Sequence, residues 1–229
     1  MKKGIAIAID GPAGSGKSTV SKLVALKFNY IYIDSGAMYR AITLKALRAG
    51  VSMSDSEKLS ELALRTKLEF QTESGVELRL IMDGQDVSEE IRGLEITGNV
   101  SAVAAVAGVR SALVEIQRMM AKPGGVVMDG RDIGTVVLPE AELKVFLTAS
   151  VAERAKRRWL EFKEKGIMVE LEEIERKIAA RDYFDSHREA DPLRQASDAI
   201  LLDTTLLTIE QVVEQISRWA IARGATSKG

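Results

Sequence analysis

Short apolar runs, separated by charged segments with helical periodicity, set the rhythm of the chain. Ile5 to Ile9 is a β-branched run that stops at Asp10, and Val20, Leu23, Val24, Lys27 and Phe28 then follow the helical period. Comparable runs recur at Tyr30 to Ile33, Val126 to Met128, Leu143 to Leu147 and Ala199 to Leu202, each leading into a loop or helical segment. Continuous apolar strands alternating with helices predict an α/β fold whose parallel sheet is covered on both faces. Ala152 to Lys165 and Leu171 to Tyr183 read as charged helices. Ile209, Val212, Val213, Ile216, Trp219 and Ala220 give the closing helix one apolar face, which predicts that it packs on the sheet.

Between about Leu62 and Val103 this rhythm breaks. Leu68 to Gln71, Val76 to Met82 and Gln85 to Val87 read as short antiparallel strands, joined by the turn dipeptides Ser74-Gly75 and Asp83-Gly84. The second dipeptide predicts a type I′ hairpin, a turn that needs positive φ at both central residues. The stretch 62–103 is therefore expected to be an inserted small α+β subdomain within a single domain spanning 1–229.

Composition narrows the field. The 229 residues are 46% hydrophobic and 28% charged, ordinary globular material and enough for one large α/β domain. Lys and Arg number 32 against 33 Asp and Glu, so with a net charge of -1 no global field draws the chain to nucleic acid or an anionic membrane. Any anion site has to be local. The absence of cysteine excludes a disulfide scaffold and a thiolate metal or redox site, and fits a cytoplasmic location. The first apolar run is too short for a signal sequence or a membrane span.

The residues Gly11, Pro12, Ala13, Gly14, Ser15, Gly16, Lys17 and Ser18 complete the pattern G-x-x-x-x-G-K-[ST], with Thr19 following as a further ATP-binding candidate, between an expected strand and an expected helix. Backbone N–H groups and the positive end of the helix can enclose the phosphates of ATP, Lys17 adds a charged donor to the β/γ oxygens, and Ser18 can ligate Mg²⁺. The bland alternative is a glycine turn opening an ordinary helix.

Two further strand ends carry chemistry. Asp34, Ser35, Gly36, Ala37, Met38, Tyr39 and Arg40 follow the second strand, at the sheet rim where doubly wound folds bind ligands. Arg40 is suited to grip an acceptor phosphate; Asp34 is suited to hold a water on Mg²⁺, to accept the nucleophile's hydrogen bond, or simply to cap a helix. Val126 to Asp129 with Gly130, Arg131 and Asp132 resembles a Walker B strand end with extra polar groups. Asp129 is the candidate for the Mg²⁺ environment, the alternative being a solvated turn in which Arg131 and Asp132 offset each other's charge.

Taken together, GPAGSGKST, DSGAMYR, GRDIGTVVLP and the RD..D..R pattern of RDYFDSHR occur in the order seen in cytidylate kinases. The resemblance covers nearly the whole chain, and DSGAMYR with GRDIGTVV is its narrow part. The insert also resembles the enlarged monophosphate-binding subdomain of the bacterial enzymes, where thymidylate and adenylate kinases look different. The resemblance implies a P-loop NTPase fold with a short lid near 150–167, and an activity in which ATP, with Mg²⁺, phosphorylates CMP and dCMP. It places Ser35, Arg40, Ser101, Arg110, Arg131, Asp132, Arg181, Asp185 and Arg188 around CMP. Arg40, Arg131 and Arg188 would suit its phosphate, Arg181 and Asp185 the sugar and the transferring group, and Asp132, Ser101 and Arg110 the base. It also assigns Arg154, Arg157 and Arg158 to the lid helix; their i, i+3, i+4 spacing suggests a shared face, with Arg157 on ATP and Arg154 and Arg158 beside Lys17, Asp34, Arg131 and Arg181 in the catalytic set. A solvated basic face is the alternative. The family implies a monomer, with small nucleotides as its partners and no nucleic acid or membrane.

His187 is the lone histidine, and it reads as a neighbour of Arg188 because phosphoryl transfer relies on positioning and charge. Tyr183-Phe184 departs from the family, where this stretch is often more charged. A nucleotide-gated switch is the contrasting reading, but the chain has no N-K-x-D and no D-x-x-G motif. A kinase for another monophosphate or a small metabolite is the nearer rival.

Overall fold

The computed structural model describes residues 4–73, 77–164 and 166–226. The chain divides into two compact units, Met1–Ile31 with Gly124–Gly229, and Tyr32–Pro123.

In the first unit the apolar runs become strands β1 (Ala6–Asp10), β6 (Val126–Gly130), β7 (Leu143–Thr148) and β8 (Ile200–Asp203), and β2 (Ile31–Asp34) begins at the unit's boundary. The sheet order is β2-β6-β1-β7-β8, and β1 pairs in parallel with both β6 and β7. β7 pairs in parallel with β8. Ile7, Ile9, Val127, Met128, Leu143 and Leu147 are fully buried, as strands covered on both faces require. The expected first helix is α1 (Lys17–Phe28), ended by Asn29 in the left-handed conformation. The closing helix is α8 (Ile209–Ala222), opened by a capping box between Thr208 and Gln211, and it buries Val212, Ile216 and Ala220 as its periodicity predicts. It packs on α1 and β7. The charged helices are α6 (Val151–Glu164) and α7 (Leu171–His187), joined through Ala155, Ile174 and Ile178.

Among its described residues the second unit holds the hairpin strands and four α-helices. β3 (Leu68–Glu73), β4 (Glu77–Met82) and β5 (Gln85–Asp86) form an antiparallel sheet. Asp83 and Gly84 both have positive φ, 50° and 85°, as the type I′ expectation demands. The Ser74-Gly75 turn lies outside the described residues. The helices are α2 (Ser35–Arg48), α3 (Ser56–Arg65), α4 (Leu94–Ala105) and α5 (Ala107–Ala121). Asp55 caps α3, and Met38, Ile42, Leu59, Leu80, Val103 and Leu113 share the core of this unit. The strand-centred reading of 62–103 did not name α4. Its segment carries Thr97, Gly98 and Val100, weak helix formers, and the burial of Ile96, Val100 and Val103 on one face stabilises it. Among the described residues no single helix is long and apolar enough to cross a membrane.

Candidate active site

Gly11 ends β1 with φ 149°, and a Cβ there would lie 1.9 Å from the Leu147 carbonyl oxygen, so only glycine lets the chain turn into the cradle. Gly16, at φ 88°, is the N-cap of α1 and brings no capping side chain, which leaves the first-turn N–H groups to an anion. The loop between them is braced from its outer side. Arg154 Nη1 donates to the Ala13 carbonyl at 3.0 Å, and the Thr204 hydroxyl to the Ser15 carbonyl at 3.4 Å. Lys17 folds over this nest, its Nζ donating to the Pro12 carbonyl at 2.6 Å and lying 3.4 Å from Ser15 Oγ. Burial pushes the Lys17 ammonium down to about 7, and the Arg131 charge works in the same direction.

Parallel register sets Asp129 of β6 beside Ile9 of β1, close to the start of the cradle. There the Ser18 hydroxyl donates to Asp129 Oδ2 at 3.0 Å. A hydroxyl and a buried carboxylate are hard oxygen donors of the kind Mg²⁺ takes. The pair fits the metal that the motif implies.

Beyond β6 the chain makes a turn through Arg131 and Asp132 and then one wide helical turn over Ile133–Val137. Arg131 Nε donates to Asp185 Oδ2 at 2.9 Å, and Arg181 Nε lies 3.9 Å from the same oxygen. Asp185 is buried on α7, so one carboxylate organises two guanidinium groups, and both of these arginines act electrostatically on Lys17. Arg188 Nη2 lies 3.9 Å from Asp132 Oδ1 and is fixed by donation to the Asp191 carbonyl. The first unit thus brings together Lys17, Arg131 and Arg181 in one field, with Asp132 and Arg188 as an adjacent pair.

The three arginines of α6 divide. Arg154 is buried and donates to the Ala149 carbonyl, to Ala13 of the cradle and, at 2.6 Å, to Asp182 of α7. Arg157 pairs with Glu153 and donates to the Thr204 carbonyl at 2.8 Å. Arg158 turns elsewhere: it pairs with Glu161 and lies over the Phe162 ring, 4.7 Å from its centroid. At about 100° per residue, positions i+3 and i+4 flank position i on opposite sides, so the spacing alone does not give one shared direction.

In the second unit Asp34 caps α2 through the Ala37 N–H at 2.9 Å, and its other oxygen accepts from Arg40 at 2.8 Å. Ser35 is buried in the first turn of α2, and Ser101 is half-buried on α4. Arg110 is buried, donates to the Ala104 carbonyl at 3.1 Å and lies over the Tyr39 ring. His187 rests on the first unit, its ring stacked on Tyr183 at 4.0 Å and Nδ1 against the Tyr183 carbonyl. Tyr183 and Phe184 are both exposed.

Sequence reasoning passed over three contributors. Asp182 is the partner of Arg154, and Thr204 binds both Arg157 and the cradle. Asp10 is buried, and its two oxygens accept the N–H groups of Ile133 and Gly134, each at 2.7 Å. Burial pushes its carboxyl up to about 7, against the opposing pull of those N–H groups and of Lys17. An acid closing a fully apolar strand was the available signal for Asp10, and Asp182 is the first acid of the RD..D..R pattern; Thr204 carried none.

A parallel sheet with an amide nest after its first strand, a basic residue over the nest and a Ser–Asp pair beside it define a P-loop NTPase fold. Shikimate kinase from Acinetobacter baumannii shares this fold, with a TM-score of 0.50 at 13% identity over 98% of this chain and 97% of that one. The family model for cytidylate kinase matches residues 7–221, and the chain belongs to that family. A cytidylate kinase of Lactobacillus gasseri is 56% identical over 211 residues, 92% of this chain and 91% of the relative. One from Limosilactobacillus reuteri is 52% identical over 219 residues, 95% of this chain and 96% of the relative.

Proposed function

We propose that the protein transfers the γ-phosphoryl group of ATP to CMP and dCMP, giving CDP and dCDP. Family membership supports the activity, and one structural observation carries its chemistry: Arg131 and Arg181 share a single buried carboxylate, Asp185, and their charges act on Lys17 of the cradle. Phosphoryl transfer asks for positioning and dispersed positive charge more than for covalent help, and Lys17 together with the two arginines whose charges act on it can supply it.

In this reading the N–H groups of the cradle and Lys17 hold the ATP phosphates, with Arg154 bracing the loop and Arg157 on the donor side. Ser18 and Asp129 would hold Mg²⁺, which would supply charge neutralisation at the phosphates; Asp34 is a further candidate to hold it through water. Arg131 and Arg181 meet charge that develops on the transferring group, and Arg188 takes the acceptor phosphate. Asp132 reads the base: its carboxylate accepts from the 4-amino group of cytosine, whereas uracil presents a carbonyl there and is repelled. Ser35, Arg40, Ser101 and Arg110 are the acceptor-binding groups of the second unit. The stretch 150–167 acts as a lid. The protein works as a cytoplasmic monomer on small nucleotides, without nucleic acid or membrane.

A coupled assay offering ATP with CMP, dCMP, UMP, AMP or dTMP tests this. ADP release is expected to depend on CMP or dCMP, and release no faster with CMP than with buffer rejects the reading. Asp132→Ala is expected to lower kcat/KM for CMP by ~10-fold or more while Mg-ATP binding stays within about threefold.

A further inference from the structure

We propose that Asp10 is a positioning residue for the acceptor: its carboxylate fixes the Arg131–Asp132 turn to the strand that opens the phosphate cradle. The inference rests on the CMP kinase reading, because its readouts are acceptor readouts.

Asp10 and the turn are more than 120 residues apart in sequence, yet both carboxylate oxygens are engaged at 2.7 Å by consecutive backbone N–H groups, those of Ile133 and Gly134. Two acceptors on two successive donors fix the orientation of that backbone as well as its distance. These N–H groups open the wide turn over Ile133–Val137, where the first donors have no acceptor within the turn itself. Asp10 therefore caps the turn from another strand. The residues immediately before it are Arg131 and Asp132.

Within the turn the Asp132 carbonyl accepts from the N–H groups of Val136 and Val137, and the side-chain ties are Arg131 to Asp185 and Asp132 towards Arg188. Those side chains are the groups that a nucleotide would engage, so they cannot also serve as its fixed reference. The backbone anchor has to be a residue that stays out of the ligand's reach, and buried Asp10 is one. The approach is also close. A Cβ on Gly134 would lie 3.3 Å from Asp10 Oδ2 and 3.1 Å from Lys144 Cδ, so glycine is the residue that leaves the contact undisturbed. The cradle, by contrast, has supports of its own in Arg154 and Thr204. Loosening Asp10 is therefore felt mainly by the turn, hence by CMP and less by ATP.

The test uses the full chain with Asp10→Asn, which keeps the size but sets an amide NH₂ against one of the two N–H donors. The KM for CMP is expected to rise ~10-fold or more while that for Mg-ATP changes by less than about threefold, and the preference for CMP over UMP in kcat/KM should fall with it. In an Asp132→Ala background, Asp10→Asn should alter that preference by less than about twofold, since the two act through one turn. Gly134→Ala disturbs the same contact with its charge intact and should show the same split, more mildly; if Asp10→Asn does not fold, Gly134→Ala decides by the same criterion. Equal rises in both KM values, an unchanged KM for CMP, or a preference loss that persists fully without Asp132 overturns the inference. A wild-type protein without CMP-dependent turnover would instead remove the activity reading, and this inference with it.

Discussion

Burial and the Arg131 charge both oppose the Lys17 ammonium, and the consequence is a measurable proton linkage. Its folded pKa of about 7 lies below the ordinary 10.5, so between those values the native state binds fewer protons than the unfolded chain. Stability attributable to this group therefore rises with pH across that window and is flat below it. Lys17→Met should flatten that rise in pH-dependent urea unfolding. Bound polyphosphate favours the ammonium, so ATP binding at pH 8 is expected to take up close to ~1 proton, read by calorimetry in buffers of different ionisation enthalpy; Lys17→Met should abolish the uptake. Arg131→Ala or Arg188→Ala is expected to cut kcat/KM for CMP by ~10²-fold or more, since a guanidinium acts on both ground and transition states. Unaltered steady-state kinetics in both variants would take these residues out of the site.

At the scale of elements, α6 shows how far periodicity reaches. The charged pattern of VAERAKRRW foretold a helix, and the helix formed, but which arginine turns inward was settled by partners from elsewhere. Arg154 is buried because Asp182, Ala149 and Ala13 complete its hydrogen bonds, and the loss of one member of a buried ion pair leaves the other uncompensated. Arg154→Ala is accordingly expected to lower stability by ~3–5 kcal/mol in urea denaturation, against ~0–1 kcal/mol for the exposed Arg158→Ala. A similar loss in both would contradict the division drawn between them. The Asp83-Gly84 hairpin, by contrast, was legible from two residues, because positive φ is a local demand that few residue types meet.

For the whole molecule, each unit carries its own apolar interior. Leu113 of the second unit is fully buried, and Leu113→Ala should cost ~2–5 kcal/mol by equilibrium unfolding, the transfer and cavity terms combined. A change below ~1 kcal/mol would mean that this core repacks freely.

The strands, the first and last helices and the phosphate cradle were written in the sequence, because short apolar runs, the helical period and the glycine pattern are local consequences of backbone geometry. The order β2-β6-β1-β7-β8 was not, since strands that pair in parallel are joined by long crossovers and their neighbours cannot be counted along the chain. The same holds for the site. Motifs named Lys17 and Arg131 as candidates and the family resemblance added Asp185, while the sharing of Asp185 by two arginines, the pairing of Arg154 with Asp182 and the grip of Asp10 on a turn 123 residues away exist only once folding has brought distant charges together and removed the water between them.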